Sequence, residues 1–168
     1  RDQLSEDSLI KVVGISLPGV IGNGLVDSCE IHELEGVDFK KLLQDSFDVD
    51  VQVWNDMNAL TYYLYRKQQK DIVNFAAIFF PENMEESCVG SGFVVDGHLL
   101  HGCNMVSGEL SLIGNAFGIT DEMQRSFISD KSALHKFAAQ MLITVCCTID
   151  PSHVVIISNT LSEDDASM

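Results

Sequence analysis

The sequence predicts an α/β protein with a mixed sheet, and three observations carry that expectation. Short runs rich in β-branched residues alternate with segments whose apolar residues recur at helical spacing. Asp96-Gly97 stands between two apolar runs, a strong short-range hairpin signal. A second turn at Gly22-Asn23-Gly24 implies another returning strand. Antiparallel hairpins beside strand–helix–strand units make the sheet mixed.

In chain order, residues 10–17 read I-K-V-V-G-I-S-L, a strand that Pro18-Gly19 ends. Residues 25–31 are expected to return from the Gly22-Asn23-Gly24 turn. Asp38 can cap a helix over residues 39–47 with Phe39, Leu42, Leu43 and Phe47 on one face. Residues 49–53 alternate as a strand, and Asn55-Asp56 then cap a helix in which Met57, Leu60, Thr61 and Leu64 share a stripe. Residues 71–80 form the next apolar strand, followed by an acidic loop over 81–87. Residues 92–95 and 98–101 flank the Asp96-Gly97 turn. The longest helix is expected over 131–148, with Ser132 near its start and Leu134, Phe137, Ala138, Met141, Leu142 and Val145 inward. Asp150-Pro151 stops it. Residues 154–157 are expected as a buried strand, and the tail from 161 as loose and acidic.

The bulk properties bound the function. With 168 residues, 46% hydrophobic and 21% charged, the chain has globular composition. The net charge of −15, from 25 acids and 10 bases, offers no basic stripe for a phosphate backbone. No nucleic-acid contact is therefore expected of this segment. No apolar stretch reaches the ~20 residues of a membrane helix, and the polar, acidic start is no signal peptide. The first residue is Arg1 and not Met, which fits a piece of a longer chain. The five cysteines, Cys29, Cys88, Cys103, Cys146 and Cys147, are odd in number and lack C-x-x-C spacing. That points to a reducing, cytoplasmic setting with mostly buried thiols, Cys146 and Cys147 serving as small core residues.

Five patterns occur in an order that resembles the ROK family of sugar kinases and sugar-responsive repressors. They are Gly14-Ile15-Ser16-Leu17-Pro18-Gly19, Trp54-Asn55-Asp56-Met57-Asn58-Ala59-Leu60, the glycine-rich 90–102 segment, Ser107-Gly108-Glu109, and the helix-to-strand passage at 149–157. The resemblance implies an actin-like ATPase (ribonuclease H-like) fold, here partial. It implies a remnant of the N-terminal lobe over 1–68 and part of the C-terminal lobe over 69–168. Asp56 matches the family's general base for a sugar hydroxyl, Asn55 and Glu109 its sugar-binding residues, and Gly90 and Gly92 remain from its phosphate turn. A carboxylate at a helix start beyond a strand end sits where open α/β sheets place ligands. The plainer alternative is that Asn55 or Asp56 only caps the helix. Asn23 and Glu33 are placed in loops near the expected cleft. His98 and His101 read as hairpin surface residues and not as ligands.

Departures from the pattern are as informative. The family's Asp-x-Gly-x-Thr phosphate hairpin is missing from the sequence. Glu86 and Cys88 replace two glycines of the second phosphate turn, adding negative charge and side-chain bulk where phosphates would approach. The family's His after Gly-Glu is Leu112 here, and its cysteine-rich zinc module is absent. The expectation is a non-catalytic sugar-sensing domain of a transcriptional regulator, with no cofactor, no metal and a possible homodimer. The alternative is a fragment of an ATP- and Mg-dependent sugar kinase of the glucokinase kind.

Overall fold

A computed structural model describes residues 10–29, 31–47, 49–68, 71–82, 88–116, 118 and 130–161. Glu86, the 83–87 part of the acidic loop and the 162–168 tail lie outside the described residues.

The chain begins with β1 (Val12–Leu17), then a hairpin of β2 (Val20–Gly22) and β3 (Leu25–Ser28). A 3-10 turn at His32–Leu34 leads to α1 (Phe39–Gln44), β4 (Asp50–Asn55) and α2 (Asp56–Lys67). There follow β5 (Phe75–Phe80), β6 (Gly90–Val95), β7 (His98–Leu99), α3 (Ser111–Ala116), α4 (Lys131–Ile149) and β8 (His153–Ser158). β1 and β4 pair in parallel, and the four-stranded sheet has the order β7-β6-β5-β8. In that sheet β5 is antiparallel to β6 and parallel to β8, so it is mixed as expected. Asp96 and Gly97 turn the β6–β7 hairpin with φ of 51° and 76°, the left-handed pair that a type I′ turn requires.

α2 packs against β4 and β1 on one side and β5 and β6 on the other, so it joins the two sheets. On the four-stranded sheet, alternate β5 residues face opposite ways. Ala76, Ile78 and Phe80 pack with Phe137, Met141 and Val145 of α4. Phe75 and Ala77 join Leu64 and Tyr65 of α2. Asn74 ties the lower ends together: its amide donates to Ile149 O at 2.8 Å and accepts from Asp96 N at 3.0 Å.

Several local expectations are corrected. β3 stops at Ser28 instead of running to 31, because the chain turns into the 3-10 segment. Leu42 is 54% exposed: a six-residue helix covers only one narrow stripe, and Phe39 and Leu43 occupy it half-buried. Of the expected α2 stripe, Thr61 is buried but Leu60 is exposed, and Asn58 is buried in addition. The apolar run at 71–80 becomes strand only from Phe75, since Asn74 serves as a tie. α4 starts at Lys131 with Ser132 as its second residue, and Asp130 caps it, its carboxylate accepting from Ala133 N at 3.1 Å. β8 is only partly buried, with Ile156 38% exposed, because it is an edge strand of the described sheet. The thiols are not mostly buried: Cys88, Cys103, Cys146 and Cys147 are exposed. Cys146 and Cys147 follow Val145, which occupies the core stripe, so the ~100° step per residue turns them away from it. α4, with 19 residues, is by length and composition long and apolar enough to cross a membrane. Its inward stripe instead packs on the sheet.

Candidate functional site

A cavity of about 650 Å³ lies between the two sheets. Its wall contains the Pro18-Gly19 turn, the Asn55-Asp56 junction, the start of β6 and Glu109. The structure thus brings Asn55, Asp56, Glu109 and Gly90 to one cleft, together with Cys88.

Asn55 ends β4 and caps α2, and both ends of its amide are used. Its Oδ1 accepts from Asn58 N at 2.8 Å, and its Nδ2 donates to Gly19 O at 2.9 Å. That second bond anchors the Pro18-Gly19 turn to the strand end. Gly19 has φ of 96°, and a Cβ there would lie 2.1 Å from Ser28 O, so the turn needs glycine. Asp56 is the first residue of α2 and is exposed; its Oδ1 accepts from Met57 N at 2.7 Å. The helix N-terminus favours a carboxylate there. The capping alternative is therefore realised at Asn55, and the same geometry leaves both side chains in the cavity wall.

Glu109 arrives by a different device. Gly108 has φ of 99°, and a Cβ there would lie 2.4 Å from Ser91 O. Ser91 Oγ donates to Gly108 O at 2.6 Å, and Ser91 is buried. The Gly108-Glu109 segment is thus clamped to β6, and Glu109 lines the same cavity as the Asn55-Asp56 junction.

The glycines of β6 do a job that sequence reasoning missed. A Cβ on Gly92 would lie 2.2 Å from Thr61 Oγ1, and one on Gly90 would lie 2.6 Å from Met57 Cγ. Both are strand residues against which α2 packs. Of the two, only Gly90 reaches the cavity wall. The signal was present, since Met57 and Thr61 stand at i, i+4 on α2.

Asn23, with φ of 53°, lies instead in a second cavity of about 280 Å³ that also contains Trp54 and His101. Glu33 is exposed and lines neither cavity; its neighbour His32 lines the larger one. His98 opens β7 and is exposed, its Nδ1 2.7 Å from Asp96 O. His101 is more than a surface residue: it meets the Trp54 ring edge-on at 5.9 Å. Leu112 is 65% exposed and outside the cleft. Among the described residues no three His, Cys, Asp or Glu side chains gather as a metal site.

The ROK family model matches residues 2–117, more than half of the chain. This chain belongs to the ROK family. No curated protein matches it by sequence. Among solved structures, Lmo2764 of Listeria monocytogenes, a candidate N-acetylmannosamine kinase, superposes with a TM-score of 0.71 at 17% identity, over 98% of this chain and 70% of its own. A ROK family protein from Streptococcus pneumoniae, solved with sucrose, gives a TM-score of 0.69 at 17% identity, over 99% and 69%. A ROK transcriptional regulator, a homologue of the E. coli MLC protein, gives 0.61 at 16% identity, over 87% and 49%. At these identities the likeness establishes the fold. It is the partial actin-like ATPase fold with a mixed sheet that the ROK resemblance implied.

Proposed function

We propose that this ROK chain binds a sugar in the cleft and senses it without phosphorylating it, as in a ROK-type transcriptional regulator. The observation that carries the reading is the meeting of Asn55, Asp56 and Glu109 in one cavity wall built from both sheets. Two carboxylates accept hydroxyl protons, and the Asn55 amide keeps a second N–H and a second oxygen lone pair beyond its bonds to Gly19 O and Asn58 N, a set suited to a polyol. A ligand held by both sheets would bias the angle between them, which is how a domain without chemistry can signal.

Two observations weigh against phosphoryl transfer. Cys88 puts a side chain in the cleft wall where the family pattern has glycine. The space beside Gly90 and Gly92 is taken by Met57 and Thr61, so those glycines offer no open cradle for phosphates. The residues present do not fit the phosphates of ATP. The kinase reading keeps one favourable feature, an exposed carboxylate at Asp56 in the cleft, placed as a general base would be. A homodimer is supported by the outward side of α4, where Ile143 is 63% exposed and Cys146 and Cys147 are exposed.

Titration calorimetry with glucose, N-acetylmannosamine and sucrose tests the reading. At least one should bind, and Asp56→Ala and Glu109→Ala should each abolish that binding. ATP-dependent phosphorylation of any of the three above background, lost in Asp56→Asn, would replace sensing by the kinase reading.

A further inference from the structure

We infer that His32 is a ligand-contacting residue of the cleft and supplies a nitrogen that complements the two carboxylates. The inference rests on the sugar-binding reading above and adds to it a residue that no motif marks.

Among the cavity's described lining residues, Asp56 and Glu109 bring carboxylates, and none is Lys or Arg. His32 is the one lining side chain that can become a cation. A polyol that donates hydroxyl protons to two carboxylates still has oxygens to satisfy, and carboxylates cannot donate to them. An imidazole can.

The backbone holds His32 in place. The 3-10 turn that carries it is pinned back on β3: Gly36 N donates to Val26 O at 2.8 Å, and Val26 N donates to Val37 O at 3.1 Å. Within the turn, Leu34 N donates to Ile31 O at 2.9 Å.

The ring itself is oriented by Glu35. His32 Nδ1 lies 3.3 Å from Glu35 Oε1, and the same oxygen accepts from Cys29 N at 3.3 Å. The Cys29 backbone N–H, and then His32, hold the Glu35 carboxyl below its ordinary range. A carboxylate on Nδ1 keeps the proton there and leaves Nε2 for the ligand. Nε2 then accepts a hydroxyl proton when the ring is neutral and donates when it is charged.

The test uses the same three sugars and whichever of them binds the wild-type chain. His32→Ala should weaken binding roughly three- to tenfold, the worth of one hydrogen bond. His32→Gln, which restores a donor and an acceptor, should recover most of it. Glu35→Gln should weaken binding in the same direction, and Leu112→His should leave it unchanged. The urea midpoint should move little in His32→Ala, because the side chain is 84% exposed. On sugar addition, the Nε2 resonance of His32 should shift. Binding by His32→Ala at wild-type strength, while Asp56→Ala abolishes it, would overturn the role of His32 and leave the cleft reading intact. Binding of none of the three sugars would overturn both.

Discussion

Replacing Gly92 by alanine separates a packing role for the β6 glycines from a ligand role. The new Cβ would fall 2.2 Å from Thr61 Oγ1, 2.8 Å from Thr61 Cβ and 3.0 Å from Met57 O. Two of those three atoms are a β-branched side chain that is fully buried, and the third is backbone. None can step aside without moving α2 off β6. Overpacking of this kind costs about 1–3 kcal/mol. The lost flexibility of glycine in the unfolded chain returns about 0.4–1 kcal/mol. The net expectation is a destabilisation of about 1–2 kcal/mol, a fall in Tm of roughly 2–8 °C for a chain of this size. Gly90→Ala meets only the Met57 side chain, at Cγ 2.6 Å and Sδ 3.3 Å, and a thioether can rotate away. It should cost less than Gly92→Ala. Urea unfolding with unchanged m-values reads both. Thr61→Ala in the Gly92→Ala background should recover part of the loss, since Oγ1 goes and the 2.8 Å contact with Cβ stays, giving a coupling of about 0.5 kcal/mol or more. A neutral Gly92→Ala, or one milder than Gly90→Ala, would refute the reasoning.

Asn55→Ala should cost about 2 kcal/mol in urea unfolding, from the lost α2 cap and the lost bond to Gly19 O; Asn55→Asp should keep the cap and lose the second part. Glu35 should titrate below its ordinary value of 4.5 by carboxyl NMR. His32→Ala should raise its pKa only part of the way, because the Cys29 N–H is the larger cause. A depressed carboxyl stabilises the fold above its unfolded pKa, and that contribution fades as pH falls through the lowered folded value. Glu35→Gln should therefore remove that contribution at neutral pH and flatten the acid limb of a stability–pH profile below about 4.5. Ser91→Ala should release the Gly108 carbonyl, weaken sugar binding through Glu109 and cost about 1 kcal/mol in unfolding.

Local chemistry was legible wherever a single residue decides it. Asp38 and Asn55 cap their helices, and the Asp96-Gly97 turn and the inward stripe of α4 stand where the pattern places them. What the sequence hid depends on neighbours far along the chain. Hydrophobicity marked Leu60 as inward, but close approach of α2 to two strand glycines admits only the smaller Thr61. Cys146 and Cys147 read as core by residue type, and helix phase turned them outward. At the site, the motif residues Asn55, Asp56 and Glu109 were readable, and the structure adds that one cavity holds them. His32 was not readable, since its place depends on a 3-10 turn tied to β3 through Val26.

The most direct measurement is the crystal structure of the chain soaked with whichever of glucose, N-acetylmannosamine or sucrose binds. The account predicts one sugar in the cleft with hydroxyls within ~3 Å of both the Asp56 and the Glu109 carboxylates. A sugar bound elsewhere, or carboxylates more than ~12 Å apart and thus beyond hydrogen-bond reach across one ring, would contradict it.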